Sequence, residues 1–425
     1  METLIQLSIS LIGGLMLSRV AKKLNLPAVT AYLVAGLLLG PYCIGAFGLS
    51  GLGFNSMESV EALGIMSQVA LGFIAFTIGN EFRVEQLKHM GRQAVTVGIA
   101  QAVFTTIIVD IALIVLHFIN PELISISAAI TLGAIAAATA PAATLMVVRQ
   151  YKAKGPLTDI LLPIVALDDA VGLVVFAISF GVAGAINTGA VDPISMIVNP
   201  LIEVVLSLIL GVVMGLLFTL TERFFFSRSK RMAVSVTFVM LTVAISSLKF
   251  EVGHFHIAFS SLLSCMMLGT IFCNICDFSE ELMERADRWT APLLILFFVI
   301  SGAELDLSVF TSLSIVIIGV VYLISRSTGK YSGALLSAKM SKCDDKIVKY
   351  LGITLLPQAG VALGMANTVK SYYGDSSDVG ALVVSITLFA VLIYELVGPM
   401  LTKMALQKAG EINPEGKTSA RKKAA

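Results

Sequence analysis

The sequence predicts an all-α membrane protein, and its composition and apolar pattern lead to this fold class. Of the 425 residues, 57% are hydrophobic and only 13% are charged, and the mean hydropathy is +0.91. Roughly a quarter of the residues in a soluble domain are charged. Long apolar segments also recur from the N-terminus to about residue 404, which is the pattern of a multi-pass protein in a lipid bilayer. We expect this protein in the cell membrane.

Thirteen apolar segments are each long enough to cross the bilayer as a helix. Polar or charged loops separate them. The segments span residues 3–19, 27–47, 60–81, 93–118, 124–148, 157–184, 199–222, 232–248, 255–274, 289–309, 311–338, 347–369 and 378–403.

The distribution of basic residues supports this number of helices and gives an orientation. Cytoplasmic loops of membrane proteins carry an excess of Lys and Arg. Nearly all of the 29 Lys and Arg residues fall in alternate loops on one side; the exceptions are Lys249 and Lys370 on the other side, and Arg326 and Lys330 inside a segment. A wrong number of helices would break this alternation. The sequence therefore predicts thirteen transmembrane helices, with the N-terminus outside and the C-terminus inside.

Similar short stretches in the two halves indicate an inverted-topology repeat of helices 1–6 and 8–13. YLVAGLLLG (32–40) resembles SLLSCMMLG (261–269), and AFTIGNEF (75–82) resembles VISGAEL (299–305). The matches are offset by seven helices, and an odd offset reverses the direction through the bilayer, as in inverted-repeat transporters. The alternative is a chance likeness between Leu-rich helices, in which small residues serve close packing.

Two neighbouring carboxylates lie in the middle of the sixth segment, in the stretch PIVALDDAVGLVVF (163–176). At 1.5 Å per residue, Asp168 lies about 16 Å deep, near the centre of the bilayer. A charged side chain there costs roughly 2.5–3.5 kcal/mol, so such residues are usually functional. Neighbouring helix positions point about 100° apart, so one of Asp168 and Asp169 can face a cavity while the other meets a fixed partner. A carboxylate that holds either a proton or a monovalent cation is the chemistry of an exchanger.

The expected charge partner is Lys330, in SRSTGKYSGALL of the eleventh segment. It lies about 13 Å from the cytoplasmic end, at a depth similar to that of Asp168, and Arg326 lies one turn earlier. Lysine loses its proton more readily than arginine when it is buried, so Lys330 can also carry a proton. The alternative is that Arg326 and Lys330 extend their charged ends to the cytoplasmic interface.

Two prolines interrupt the fifth and twelfth segments at matching positions, Pro141 in TAPAATL and Pro357 in LLPQAGV. Proline removes a backbone donor and collides with the preceding turn, and unwound backbone at this depth is tolerated where it lines a cavity. We expect two broken helices that cross, with backbone and side-chain oxygens available to a cation. The alternative is a simple packing kink. The residues of this predicted crossing are Thr139, Ala140, Pro141, Pro357 and Gln358.

Two further acids lie inside apolar segments. Asp110 in the fourth segment either lines an outward funnel or forms a structural hydrogen bond, and we regard it as a secondary site residue. Glu395 in VLIYELVGP is expected near the cytoplasmic end of the last segment as a solvated or paired acid.

The motifs together resemble those of the bacterial monovalent cation:proton antiporter-2 family. They occur in order and at compatible spacing from the second to the twelfth segment. They are NLPAVTAYLVAGLLLGP, LGFIAFTIGNEF, TAPAATLMVVRQ, LDDAVGL, LLILFFVISGAEL and RSTGK. The sequence departs from the family at Glu304, where many relatives carry an apolar residue.

This resemblance implies the sodium/proton antiporter fold, a homodimer, and a division into moving and static parts. The implied parts are scaffold helices 1–3 in 1–92, core helices 4–6 in 93–184, a linking helix in 185–231, scaffold helices 8–10 in 232–310, core helices 11–13 in 311–404 and a cytoplasmic tail in 405–425. By likeness, Asp169 binds the cation and the proton, and Asp168 pairs with Lys330. An Asp-Asp pair further implies electrogenic exchange of two protons per cation.

The predicted function is secondary active exchange of Na⁺, or of K⁺ or Li⁺, against protons by alternating access. No cofactor, nucleic-acid partner or enzymatic activity is expected, because the ions are the cargo. A sodium-coupled solute symporter on a related fold is the alternative, but it would need a roomier polar pocket. A prenyl-transferring membrane enzyme would need two acidic clusters near the headgroups, whereas the sequence has one central pair.

Overall fold

The structure, a computed structural model, describes residues 2–48, 53–80, 82–188, 193–248, 250–252, 255–257, 259–276, 279–305, 307–373 and 378–412. Helices dominate the described part of the chain. In chain order they are α1 (Glu2–Lys23), α2 (Ala28–Leu39), α3 (Met57–Glu61), α4 (Gly64–Asn80), α5 (Val84–Ile119), α6 (Ile126–Ile135), α7 (Pro141–Gln150), α8 (Pro156–Thr188), α9 (Pro193–Glu222), α10 (Arg228–Ser246), α11 (Ser261–Ile275), α12 (Ser279–Ala303), α13 (Leu313–Met340), α14 (Asp345–Thr354), α15 (Gly360–Tyr373) and α16 (Asp378–Lys408). Short 3₁₀ helices cover Ile44–Phe47 and Leu307–Thr311.

Each of the thirteen predicted segments contains a helix, and the fifth and twelfth contain two. The predicted all-α fold class is confirmed, with one local addition: the three-residue strands β1 (Phe250–Val252) and β2 (Phe255–Ile257) pair as a small antiparallel hairpin. The hairpin occupies the start of the ninth predicted segment, so its helix begins later, at Ser261. The tenth helix begins earlier than predicted, at Ser279, because the acidic stretch before it is helical too.

The surface of the helices suits a lipid environment. Within the described residues, eight helices are long and apolar enough to cross a membrane, and four shorter apolar helices accompany them. The long helix α5 exposes an apolar stripe with one large side chain in every turn: Val95, Ile99, Val103, Ile107, Ile111 and Val115. A soluble monomer rarely exposes a continuous apolar patch of this kind. The exact number of crossings and the orientation stay predictions.

The helices pack as two groups. Helices α5, α6, α8, α13, α14 and α16 contact one another, and α1, α2, α4, α11 and α12 form the second set of contacts, with α9 and α10 packed against α11. The two groups meet where α9 lies against α8. They also meet where α2 lies against α7 and α16, and where α4 lies against α7. This boundary matters for the site because cavities lie along it.

The second group contains a repeated close approach of helices. A methyl group on Gly79 of α4 would lie 1.9 Å from the carbonyl oxygen of Met266 on α11, and one on Gly302 of α12 would lie 2.1 Å from that of Leu33 on α2. The two glycines occupy matching places in the predicted repeat, as do α2 and α11. The pair α4–α11 therefore packs like the pair α12–α2. Glu81, the acid that follows Gly79 in the predicted match, lies outside the described residues.

The start of α8 is capped by Glu411, three residues after the end of α16. The carboxylate of Glu411 accepts hydrogen bonds from the backbone N–H groups of Leu157 (2.7 Å) and Thr158 (2.8 Å), and from the Thr158 hydroxyl (2.7 Å). Free N–H groups at a helix start need such acceptors, and a negative charge is favoured there. Helix α8, which carries Asp168 and Asp169, is therefore fastened at its first turn to the end of α16.

Candidate ion-binding site

The first break in the helices separates α6 from α7. Helix α6 ends at Ile135, five non-helical residues follow, and α7 begins at Pro141. Proline suits the first position of a helix because its missing N–H would have no partner there. Pro141 therefore starts the second half-helix and leaves the carbonyl groups at the end of α6 without helical partners.

The second break separates α14 from α15 and lies against the first. Helix α14 ends at Thr354 and α15 begins at Gly360, with Pro357 between them. The N–H of Ala140 donates a hydrogen bond of 2.8 Å to the carbonyl oxygen of Pro357. At both prolines the helix therefore stops and starts again, and the two breaks lie against each other.

Arg326 on α13 binds the freed carbonyl groups of both breaks. Its guanidinium donates to the carbonyl oxygens of Ala136 (3.0 Å), Ala138 (2.7 Å) and Leu356 (2.7 Å). The Arg326 side chain is fully buried, so it does not extend to the interface. A planar guanidinium with five N–H donors is suited to bridging several acceptors at fixed positions.

Aromatic and amide groups complete this network. The Arg326 guanidinium lies 4.5 Å from the ring centroid of Tyr394, within range of a cation–π contact. Gln358 donates from Nε2 to the carbonyl oxygen of Ile135 (3.1 Å) and contacts the hydroxyl of Tyr322 (3.0 Å). The Oε1 atom of Gln358 is buried and has no hydrogen-bond partner among the described residues.

Asp168 lies on α8 beside the crossing and is fully buried. Its Oδ2 atom accepts a hydrogen bond from the Thr139 hydroxyl at 2.6 Å and forms an ion pair with Lys330 Nζ at 3.0 Å. The Thr139 hydroxyl oxygen also lies 3.3 Å from the carbonyl oxygen of Leu355. Asp168, the first break and α13 are therefore joined at one point, and the expected contact of Asp168 with Lys330 is present.

Lys330 is buried and forms hydrogen bonds to several parts of the structure. In addition to Asp168, its ammonium donates to the carbonyl oxygen of Ala137 (2.6 Å) and to Oε1 of Gln101 (2.9 Å). The alternative that Lys330 extends to the interface is therefore wrong. Together, Arg326 and Lys330 place two positive charges against the carbonyl ends of broken backbone and one carboxylate.

Gln101 on α5 also belongs to the site, although the sequence pattern did not single it out. Its Nε2 donates to Asp168 Oδ1 and to the carbonyl oxygen of Gly98 (3.0 Å), and its Oε1 accepts from Lys330. Two features of the sequence could have indicated it. Gln101 is a polar side chain inside an apolar segment, and its depth in the bilayer is similar to that of Asp168 and Lys330. Tyr322 and Tyr394 were also missed, because tyrosines are common in membrane helices.

The other predicted acids have different surroundings. Asp169 follows Asp168 on α8, but its side chain lies outside the described part of the structure. The Oδ1 atom of Asp110 is buried against Gly133 of α6, and the described residues offer it no hydrogen-bond partner. Glu395 is only 6% exposed, and its Oε2 atom is buried without a partner among the described residues. The expectation that Glu395 is a solvated or paired acid is therefore wrong.

Two cavities approach the crossing along the boundary between the helix groups. One of about 900 Å³ lies between α7, α8 and α12, and its wall includes Gln150, Thr158, Asp159 and Pro163. The other, of about 190 Å³, reaches the first break at Thr139 and is also lined by Glu304 and Glu395. Buried charge, broken backbone and cavities on two sides are the features of a transport site for small ions.

A comparison with known families decides which kind of transporter carries this site. The family model described as "Sodium/hydrogen exchanger, transmembrane" matches residues 7–408. The chain belongs to the sodium/hydrogen exchanger family. This exchanger is therefore a transporter and not an enzyme. Its membership in the family supports antiport of cations and protons, with the ions as substrates.

Solved structures agree with the fold of the exchanger. The structure of the sodium proton antiporter MjNhaP1 from Methanocaldococcus jannaschii at pH 8 has a TM-score of 0.69 and 17% sequence identity, and the match covers 96% of this chain and 99% of that chain. An electron-microscopy structure of the same antiporter has the same score and identity and is covered to 98%. At this identity the match establishes the fold alone.

Proposed function

We propose that the exchanger moves Na⁺ across the cell membrane in exchange for protons, with the Asp168–Asp169 pair as the site for which both ions compete. K⁺ and Li⁺ are the other candidate cations. The observation that carries the proposal is the fully buried Asp168, paired with Lys330 and bonded to Thr139 where two broken helices cross.

Asp169 is the proposed carrier of the exchanged ions. Asp168 Oδ2 is bonded to Lys330 and Thr139, and Oδ1 is bonded to Gln101. Asp168 is therefore the acid with fixed partners, as expected for one of the two. Neighbouring positions on a helix are about 100° apart, so Asp169 does not have to share these partners. We assign to Asp169 the alternation between a proton and a cation, since a single carboxylate cannot hold both.

Alternating access follows from the two cavities in this proposal. The cavity of about 900 Å³ is lined by residues of a loop predicted on the cytoplasmic side, and the cavity of about 190 Å³ is lined by Glu304, predicted nearer the outer side. Movement of the group α5–α8 and α13–α16 against the group α1–α4 and α10–α12 would open each cavity to the site in turn. We further propose a homodimer formed through the second group, membership of the antiporter-2 branch and exchange of two protons per cation.

The test is proton movement in proteoliposomes, followed by dequenching of a pH-sensitive dye after Na⁺, K⁺ or Li⁺ is added. Asp169→Asn is expected to abolish cation-driven dequenching, whereas the matched change Asp110→Asn leaves most of it. Equal dequenching by wild-type protein and Asp169→Asn would refute the assignment. The cation that gives the largest signal at the lowest concentration identifies the preferred substrate.

A further inference from the structure

The smaller cavity beside the crossing contains two carboxylates that the proposed exchange site does not use. Glu304 directly follows α12, and Glu395 lies on α16; both line the cavity of about 190 Å³. The two acids therefore share one cavity wall. Two acids brought together in this way, from helices of different groups, need a compensating partner.

Two polar atoms in this cavity lack such a partner. Glu395 is 6% exposed, and its Oε2 atom is buried without a hydrogen bond from any described residue. The hydroxyl oxygen of Ser67 on α4, on the same cavity wall, is likewise buried and unpartnered within the described ranges. Buried polar atoms nearly always have a partner, and an exception calls for an unseen water or ion.

The chemistry of the lining favours a cation as that partner. Among the described lining residues are two carboxylates and no Lys, Arg or His. Ser67, Gln68 and Ser301, whose side chains carry oxygen atoms, line the cavity as well. Hard cations take oxygen ligands of these types. A cavity with negative charge, oxygen donors and no fixed positive charge is suited to a small cation.

The cavity also lies between an exposed acid and the proposed exchange site. Glu61 is exposed at the end of α3, and its neighbour Val60 packs in one cluster with Ala303, which precedes Glu304 on the cavity wall. Thr139 forms part of the same cavity wall, and its hydroxyl donates to Asp168. Clefts lined by one sign of charge raise the local concentration of counter-ions and their on-rates by about 10–10³-fold.

We propose that Glu304 and Glu395 form a second binding site for a monovalent cation, from which the cation passes to the Asp168–Asp169 pair. The passage rests on the proposed exchange function, whereas binding at this second site does not. Ser67 supplies a neutral oxygen ligand, and Glu61 attracts the cation towards the cavity.

Equilibrium binding to purified Asp169→Asn protein tests the site without any need for transport. With radiolabelled Na⁺, and in parallel with radiolabelled Rb⁺ in place of K⁺, this variant is expected to keep saturable binding of at least one ion. Adding Glu395→Gln or Glu304→Gln is expected to weaken that binding about tenfold or more, within the range that a one-sign cleft gives. Unchanged affinity in both double variants, or no saturable binding of either ion to Asp169→Asn protein, overturns the proposal.

Transport by the single variants separates ion binding from a merely structural effect. Glu395→Gln is expected to raise the apparent KM for the cation about tenfold while it keeps most of the maximal rate. The matched control is Glu58→Gln, which removes an exposed acid from the same helix as Glu61 and leaves KM unchanged. A lower maximal rate with unchanged KM in Glu395→Gln overturns the proposal. If Asp169→Asn still exchanges ions, the exchange proposal fails, but the binding result stands.

Discussion

The backbone N–H of Ala140 donates to the carbonyl oxygen of Pro357 over 2.8 Å, and this bond joins the two interrupted helices at the level of Asp168. Each break alone would leave polar backbone groups unpaired in the interior of a membrane protein, which costs several kcal/mol per group. Here one hydrogen bond joins the two breaks, and Arg326 and Lys330 bind four further carbonyl groups. The site is therefore a single polar network, and a substitution of one of its residues should affect several helices.

Lys330→Ala is expected to lower stability strongly. The change leaves Asp168 buried without its ion pair and the Ala137 carbonyl without its donor, and breaking a buried pair costs about 3–5 kcal/mol. Thermal unfolding in detergent measures the loss. The control Lys339→Ala removes an exposed lysine from the same helix and should leave the melting temperature unchanged. An equal melting temperature and an equal transport current in Lys330→Ala would remove Lys330 from the mechanism.

Arg326→Lys is expected to destabilise the crossing although it keeps the charge. A lysine cannot bridge the carbonyl groups of Ala136, Ala138 and Leu356 together, and each lost bond to a charged donor is worth about 1.5–3 kcal/mol. Hydrogen exchange of the backbone around residues 136–140 should become faster. The same change at exposed Arg19 is the control. Unaltered exchange at the breaks would mean that the guanidinium does not hold them.

Gln101→Leu tests the residue that the sequence did not single out. Leucine keeps the bulk but leaves Asp168 Oδ1 without the amide donor and Lys330 without one acceptor. Unsatisfied buried groups cost about 1–3 kcal/mol, so the melting temperature and the transport rate should both fall. Val103→Leu, on the lipid-facing stripe of the same helix, should change neither. If Gln101→Leu transports at the wild-type rate, the amide only fills space.

The close helix contacts at Gly79 and Gly302 predict matching effects of the two changes to alanine. Each new methyl group would meet a backbone carbonyl oxygen at about 2 Å, and overpacking of this kind costs about 1–3 kcal/mol. Gly64→Ala is the control, since no atom lies within 4 Å of its added methyl group. Melting temperatures of the three variants give the comparison. A large loss at only one of the two contacts would argue against their equivalence.

The sequence indicated the helices and part of the site because both depend on strong and simple signals. Apolar length marked the segments, and the depth of Asp168 and Lys330 was enough to pair them. The prolines placed the breaks within a few residues. A charged side chain inside the bilayer costs free energy, so a single residue of this kind already indicates a site, without knowledge of its neighbours.

The rest depends on which helices lie side by side, and the sequence does not state that. Gln101, Tyr322 and Tyr394 became site residues only when α5 and α13 packed against the crossing. Glu395 was expected near water because its place along α16 was known but its neighbours were not. The hairpin of β1 and β2 was not expected because β2 lies inside residues 255–274, which the apolar pattern assigned to a single segment.

The hydrogen bonds of Glu411 allow the movement of α8 to be followed from the end of α16. Since this carboxylate fastens the chain after α16 to the first turn of α8, we expect these two parts to move together in the proposed exchange cycle. In the proposed cycle, a fluorescent group attached to the exposed Lys408 at the end of α16 would therefore report the displacement of the helices that carry the Asp168–Asp169 pair.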